Sequence, residues 1–179
     1  MNQFKYISPE NKEKTLKILE EEGVNACIVA GSTNVLPDIK VKKLSPKILL
    51  DITAIEELRG IDKKKDEICI RPLTTIAELI NSELILKEGK ILIQAAEQFA
   101  DPLVRNNATI GGNLITASPG ADMAVPLLTL DALIKIESVR QKREVKLKDF
   151  FLEPGKTVLQ DDEMIVGIEF EQSDINKNG

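Results

Sequence analysis

An uncharged, β-rich run, Ala26-Cys-Ile-Val-Ala30, passes through Gly31-Ser-Thr-Asn34 into Val35-Leu-Pro-Asp-Ile-Lys-Val41. A second apolar run, Lys47-Ile-Leu-Leu-Asp51, follows. Strand, short helix with Pro37 near its first turn, and strand again make a small parallel unit, since parallel strands need a crossover that a hairpin cannot supply. The loop between strand and helix aims free helix N-terminal amides at whatever sits above the strand's end.

The remaining segments are organised around this unit. Ser8-Pro9-Glu10 reads as a helix start, with Ser as N-cap and Pro at the first helical position. Leu16 and Leu19 give that helix an apolar side, and Gly23 ends it. Ile55 to Gly60 closes the lobe, and a different pattern begins. Ile61 starts one short strand, Glu67 to Arg71 forms another, and Lys63-Lys-Lys-Asp66 is the exposed hairpin between them. Thr75-Ile-Ala-Glu78 is a capping box opening a helix through Ile80. Leu92, Ala95, Ala96 and Phe99 recur at helical spacing and predict a helix over 90–100. Asp122 opens an apolar helical segment from Met123 to Leu130. Ala132 to Glu137 alternates as a strand and pairs with Arg143 to Leu147, with Phe150-Phe151 packed beneath the sheet. Met164 to Phe170 is a last strand, and Ser173 to Gly179 a polar, frayed tail. The predicted architecture is α+β in two lobes: residues 1–58 small and parallel, 59–179 a mixed or antiparallel sheet with helices packed on it.

Composition removes several functions. At 179 residues the chain can bury roughly 70% of its extended surface, enough for a real core. A net charge of −5 gives no basic face for nucleic acid, and five Phe, one Tyr and no Trp give no stacking platform. There is no His, which excludes the usual triads and the commonest metal ligand. Cys27 and Cys69 are far apart and read as buried, reduced thiols; no CxxC is present to begin a metal site. No signal peptide and no apolar run long enough to span a membrane is found, so a soluble, cytoplasmic protein is expected. The pair Asp161-Asp162 reads as a solvated turn rather than an acid/base dyad.

The second informative stretch is Ala108-Thr-Ile-Gly-Gly-Asn-Leu-Ile-Thr-Ala-Ser-Pro-Gly-Ala-Asp122, with no Lys or Arg between Arg105 and Lys135. Glycine lets a ligand approach the backbone, and consecutive amides in a turn can form an anion-binding concavity. A Gly-Gly turn can also be only a turn. Together with Ile28-Val-Ala-Gly-Ser-Thr-Asn-Val35 it could clasp a diphosphate from two lobes, through N–H groups and hydroxyls rather than cations. The dinucleotide GxGxxG fingerprint and Walker A are both absent.

The segments VAGSTNVLPDIK and ATIGGNLITASPGAD, together with the Leu-rich first helix, PLLTLDALIKI and EMIVGIEF, make the chain resemble the FAD-binding subunit or domain of molybdenum-containing hydroxylases. That group includes xanthine dehydrogenase, the medium subunit of aerobic carbon monoxide dehydrogenase, and nicotinate dehydrogenase. The resemblance spans essentially the whole chain. It implies a two-lobed, PCMH-type domain with FAD in the cleft. By motif match, Ile28, Val29, Ala30, Gly31, Ser32, Thr33, Asn34 and Val35 would wrap the diphosphate. Thr109, Ile110, Gly111, Gly112 and Asn113 would form the other wall, and Asp122 would bind sugar or ribityl hydroxyls. Phe99 falls at a position near the flavin, and Ile165 at a hydrophobic cofactor contact. Each has a plainer reading: Phe99 and Ile165 as core, Asp122 as a helix cap, Ser32 and Thr33 as turn formers.

The resemblance further implies an electron-transfer role. Electrons from a molybdenum-cofactor large subunit would pass through a 2Fe-2S small subunit to the flavin, then to NAD or another acceptor. Ser32 and Asn34 stand where many relatives have Gly and Asp. Related subunits also continue into a C-terminal domain beyond the equivalent of Gly179, with a further Lys contact to the flavin, and the two separated Cys cannot hold the extra cluster that some carry. Two other readings stay open: a flavoenzyme that works alone, and a truncated, non-catalytic module.

Overall fold

The computed structural model describes residues 4–118 and 120–171. The expected tail from Ser173, and Pro119 in the Gly-rich stretch, lie outside them. The chain opens with β1 (Lys5–Ile7), which the sequence pattern does not reveal because Lys5 and Tyr6 are exposed. α1 (Lys12–Glu22), β2 (Ala26–Val29), α2 (Val35–Lys40) and β3 (Ile48–Asp51) follow. The three strands form a parallel sheet in the order β1-β3-β2, as the strand–helix–strand alternation requires, and β2 is an edge.

α1 starts later than expected. Asn11, not Ser8, is its N-cap, accepting the Lys14 N–H at 2.9 Å, and the Lys12 N–H is taken by Glu57 Oε1 at 3.0 Å. The helix begins where its first donors find acceptors, and Pro9 belongs to the entry segment. Leu16 and Leu19 are buried, and Gly23 ends the helix at φ +48, both as expected.

The second half is built on β4 (Ile61–Lys64) and β5 (Glu67–Ile70), the expected hairpin. Then come α3 (Ile76–Ile80), α4 (Glu83–Glu88), α5 (Lys90–Gln98), α6 (Pro102–Asn107), α7 (Ile110–Ile115) and α8 (Ala124–Thr129). β6 (Leu133–Glu137), β7 (Lys142–Lys146), α9 (Leu147–Phe150), β8 (Phe151–Glu153), β9 (Lys156–Thr157) and β10 (Met164–Glu171) complete it. The capping box at Thr75 and Glu78 is present in both directions.

The larger sheet runs β4-β5-β10-β6-β7 and is antiparallel throughout, with β10 in the middle. Alternation sorts its faces. Ile68, Ile70, Ile134, Ile136, Ile168 and Phe170 enter the main core with the helices. The opposite face carries charge, with Lys135 between Glu144 and Glu169, and Glu137 between Lys12 and Lys142.

The core of the parallel sheet is not made by the first segment alone. Leu16, Leu19, Leu50, Ile52, Ile55 and Leu58 close on Leu73 and on Met164 of β10. The two halves of the chain therefore share apolar contacts, and their loops are held at a defined separation.

Candidate cofactor cleft

β2 ends at Val29, which is buried, while Ile28 and Ala30 pack beside the smaller core. The chain then turns through Gly31, Ser32 and Thr33 into Asn34 and Val35, where α2 begins. Among the described residues, the N–H groups of Gly31 through Val35 find no hydrogen-bond acceptor. Asn34, at the N-cap position, has αR backbone and makes no capping bond. Its side chain instead reaches the other half of the chain, donating from Nδ2 to Thr116 Oγ1 at 3.0 Å.

Gly31 and Ser32 meet different demands. A Cβ on Gly31 would lie 2.9 Å from the Asn107 carbonyl carbon, and nearer still to its oxygen. The space is filled by main chain, so no side chain fits. Ser32 takes the left-handed conformation, at φ +59. A non-glycine residue there is strained.

The second segment differs from the expected turn of free amides. Ile110 to Ile115 is a helical turn, α7, N-capped by Thr109, whose hydroxyl accepts the Gly112 N–H at 3.2 Å. Every amide from Ile110 to Asn113 is spent internally. Ile110 donates to Thr74 O, Gly111 to Pro72 O, Gly112 to the cap and Asn113 to Thr109 O. A concavity of bare nitrogens is therefore not formed here. Helix formation wins because Thr109 caps it and the strand-like approach of residues 72–75 takes the first donors, including a bridge between Thr75 and Thr109.

The two glycines do separate work. Gly111 is buried, and a Cβ on it would lie 2.6 Å from Pro72 Cβ and 2.8 Å from Pro72 O. Gly112 is half-buried, and a Cβ on it would meet a single side-chain atom among the described residues, the Thr109 hydroxyl at 2.9 Å. One residue on, Asn113 Oδ1 is buried without a hydrogen-bond partner among the described residues. A buried acceptor left unmade costs free energy, so this atom faces a place for a donor. Thr116 Oγ1 donates to Gly112 O at 2.8 Å while accepting from Asn34.

The other candidates divide. Asp122 is exposed, has no hydrogen bond or ion pair among the described residues, and does not cap α8, whose N-cap is Met123. Its carboxylate is available. Phe99 ends α5 and packs half-buried on the main core. Ile110 and Ile165 are core side chains, almost wholly removed from solvent, and Ile165 pairs with Ile136 across the sheet. Only their main chain can face a ligand.

Asn107, Pro72 and Thr116 were absent from the sequence-derived site. The first two act through main chain or packing and leave no residue-type signal. Thr116 lay within the Gly-rich stretch as one of several hydroxyls. At the carboxyl end of β3, Asp51 accepts from the Thr53 N–H, the Thr53 hydroxyl and the Tyr6 phenol. Burial raises its pKa, but these hydrogen bonds outweigh that and hold the carboxyl below its ordinary value. Among the described residues there is no cluster of three or more metal-ligating side chains and no helix long and apolar enough to cross a membrane.

Comparison with known proteins places these features in context. The family described as the FAD binding domain in molybdopterin dehydrogenase matches residues 2–170. The carbon monoxide dehydrogenase medium chain of Hydrogenophaga pseudoflava is 33% identical over 165 residues, covering 92% of this chain and 58% of the relative. The nicotinate dehydrogenase FAD-subunit of Eubacterium barkeri is 33% identical over 178 residues, covering 97% and 60%. The solved carbon monoxide dehydrogenase from Hydrogenophaga pseudoflava that lacks the Mo-pyranopterin moiety superposes with a TM-score of 0.93 at 32% identity, covering 96% of this chain and 60% of that one. The chain thus spans less than two thirds of the length of these relatives.

Proposed function

Because the chain belongs to the family of FAD-binding domains of molybdopterin dehydrogenases, we propose that it is the FAD-binding electron-transfer module of a molybdenum hydroxylase-type dehydrogenase. The observation that carries this reading is the run of bare N–H groups from Gly31 to Val35, together with an orphaned amide oxygen at Asn113 beside Gly112. A diphosphate is an acceptor-only group, and unmade main-chain donors without a nearby cation suit it.

In this reading residues 1–58 and 59–179 are the two lobes of the cleft. The 31–35 amides hold the diphosphate. Gly112 keeps a side chain off the other wall, and Asn113 and Asp122 bind polar groups of the cofactor. Phe99 is a neighbour of the ring through the main core, whereas Ile110 and Ile165 contribute only framework. The flavin, when bound, supplies the redox chemistry, and the protein supplies position and electrostatics. No residue of this chain is an acid, base or nucleophile in that role. A molybdenum-cofactor large subunit and a 2Fe-2S small subunit would deliver electrons, and NAD or another acceptor would remove them.

The test is direct. The purified chain is mixed with FAD and passed through gel filtration, and the protein peak is scanned for flavin absorbance. Stoichiometric flavin in the peak supports the reading; a colourless peak at saturating FAD rejects it.

A further inference from the structure

We infer that the hydrogen bond from Asn34 to Thr116 is a latch across the mouth of the cleft, which FAD must break to enter or leave. This rests on the FAD-binding reading above. The two segments cross twice. At the first crossing Gly31 lies on the main chain of Asn107 and Ala108, backbone on backbone, and cannot open unless α6 moves. At the second, three residues later, the hydrogen bond found among the described residues is the exposed one from Asn34 Nδ2 to Thr116 Oγ1 at 3.0 Å. The bare amides of Ser32 and Thr33 lie between these crossings along the chain. Gly112, which carries no side chain, stands one helical turn from Thr116.

The chemistry of both partners fits a closure rather than a surface accident. An Asn entering a helix ordinarily turns its side-chain oxygen onto the first-turn amides. Here Asn34 makes no such bond and spends its amide across the cleft, so its own helix stays uncapped. Thr116 is held for the purpose, because its hydroxyl hydrogen is committed to Gly112 O at 2.8 Å and its lone pair faces Asn34. A single neutral hydrogen bond in water is weak enough to open on thermal fluctuation, so it governs how fast the cleft exchanges its occupant rather than sealing it. An Asp at this position would have no side-chain N–H to donate to this hydroxyl.

The experiment uses the full chain and FAD. Association is followed by flavin fluorescence on rapid mixing, and release by dilution, for the parent, Asn34→Ala, Thr116→Val and the double variant. Each single variant is expected to speed both association and release by about three- to ten-fold. The double variant is expected to go no further than either single, because one bond has been removed twice. Thr116→Ser, which keeps the hydroxyl, is expected to restore the parent's rates, and denaturation midpoints show that every variant is folded. Parental rates in both single variants, or effects that add in the double, overturn the latch while FAD binding stands. A parent that takes up no FAD overturns the cofactor reading and the latch together.

Discussion

Gly31 faces the carbonyl of Asn107 with no space for a side chain between them, the missing Cβ lying 2.9 Å from the carbonyl carbon and closer to the oxygen. The backbone at Gly31 is outside the left-handed region, so the demand on this residue is volume and not conformation. Gly31→Ala is therefore expected to push the two loops apart and cost about 2 to 3 kcal/mol, a fall in Tm of about 5 to 10 °C for a chain of this length. Adding Asn107→Ala is expected to rescue nothing, because the obstruction is main chain. Thermal melts of the three proteins check this, and a midpoint within a degree of the parent would show that the loops do not touch.

The adjacent glycines of α7 are expected to part company on substitution. Gly111→Ala forces a Cβ into Pro72, where side chain and backbone both block it, and is expected to destabilise by about 1 to 3 kcal/mol. Gly112→Ala gains up to about 1 kcal/mol of helix propensity against a small adjustment of the Thr109 hydroxyl, so its stability is expected to stay close to the parent's. Gly112→Val, which puts a branched side chain on the proposed cofactor wall, is expected to lower FAD affinity at least ten-fold with the fold intact. Flavin titrations beside urea denaturation separate the two effects; full FAD retention by Gly112→Val would remove this residue from the cleft.

Ser32 carries a conformational cost that glycine would not. The left-handed region costs an L-residue roughly 1 to 2 kcal/mol, and glycine loses about 0.5 to 1 kcal/mol through its freer unfolded state. At φ +59 the first outweighs the second, so Ser32→Gly is expected to stabilise by about 0.5 kcal/mol. Ser32→Val is expected to destabilise by more than 1 kcal/mol. Equilibrium denaturation midpoints decide the sign.

Glu163 anchors the last strand's approach. Its side chain is almost wholly buried and takes two bonds from Arg143, Nε to Oε1 and Nη2 to Oε2, both at 2.7 Å, with further donors from the Gln160 N–H and Gln141 Nε2. The Arg143 guanidinium holds the carboxyl below its ordinary value, against the opposing effect of burial. A depressed carboxylate stabilises the fold above its unfolded pKa, and that stability is lost as pH falls through the folded value. Stability is therefore expected to decline below about pH 4.5. Glu163→Gln is expected to cost about 2 to 3 kcal/mol at neutral pH, with the difference narrowing at acid pH. With no histidine in the chain, midpoints between about pH 5.5 and 7.5 are expected to be nearly flat. Urea midpoints across pH test both statements.

Much of this arrangement was legible beforehand, and particular residues show why. The parallel unit followed from two short apolar runs flanking a helix, because period and length report burial directly. The capping box at Thr75 and Glu78 is local chemistry, and it forms as read. Gly23 likewise ends α1 as read. What escaped was non-local. Asn11 displaced Ser8 as the cap because Glu57, remote in sequence, satisfies the next donor. Gly111-Gly112 looked like a nest of free amides, and only the course of residues 72–75 reveals where those amides go. Asp122 read as a helix opener, but the helix starts after Met123 and leaves the carboxylate free. Gly31 reads in the sequence as a glycine facing a ligand, and the structure gives it a separate demand, a carbonyl of α6 that leaves no space for a side chain.

The middle position of β10 has a consequence for synthesis. Residues 164–171 are the last described strand to leave the ribosome, but within the sheet they lie between the β4–β5 and β6–β7 hairpins and hydrogen-bond to both. Until they emerge, each hairpin exposes an open edge, and the smaller core waits for Met164 to close it. Nascent chains halted short of this strand should be prey for chaperones or aggregation, and neither lobe should mature ahead of the other.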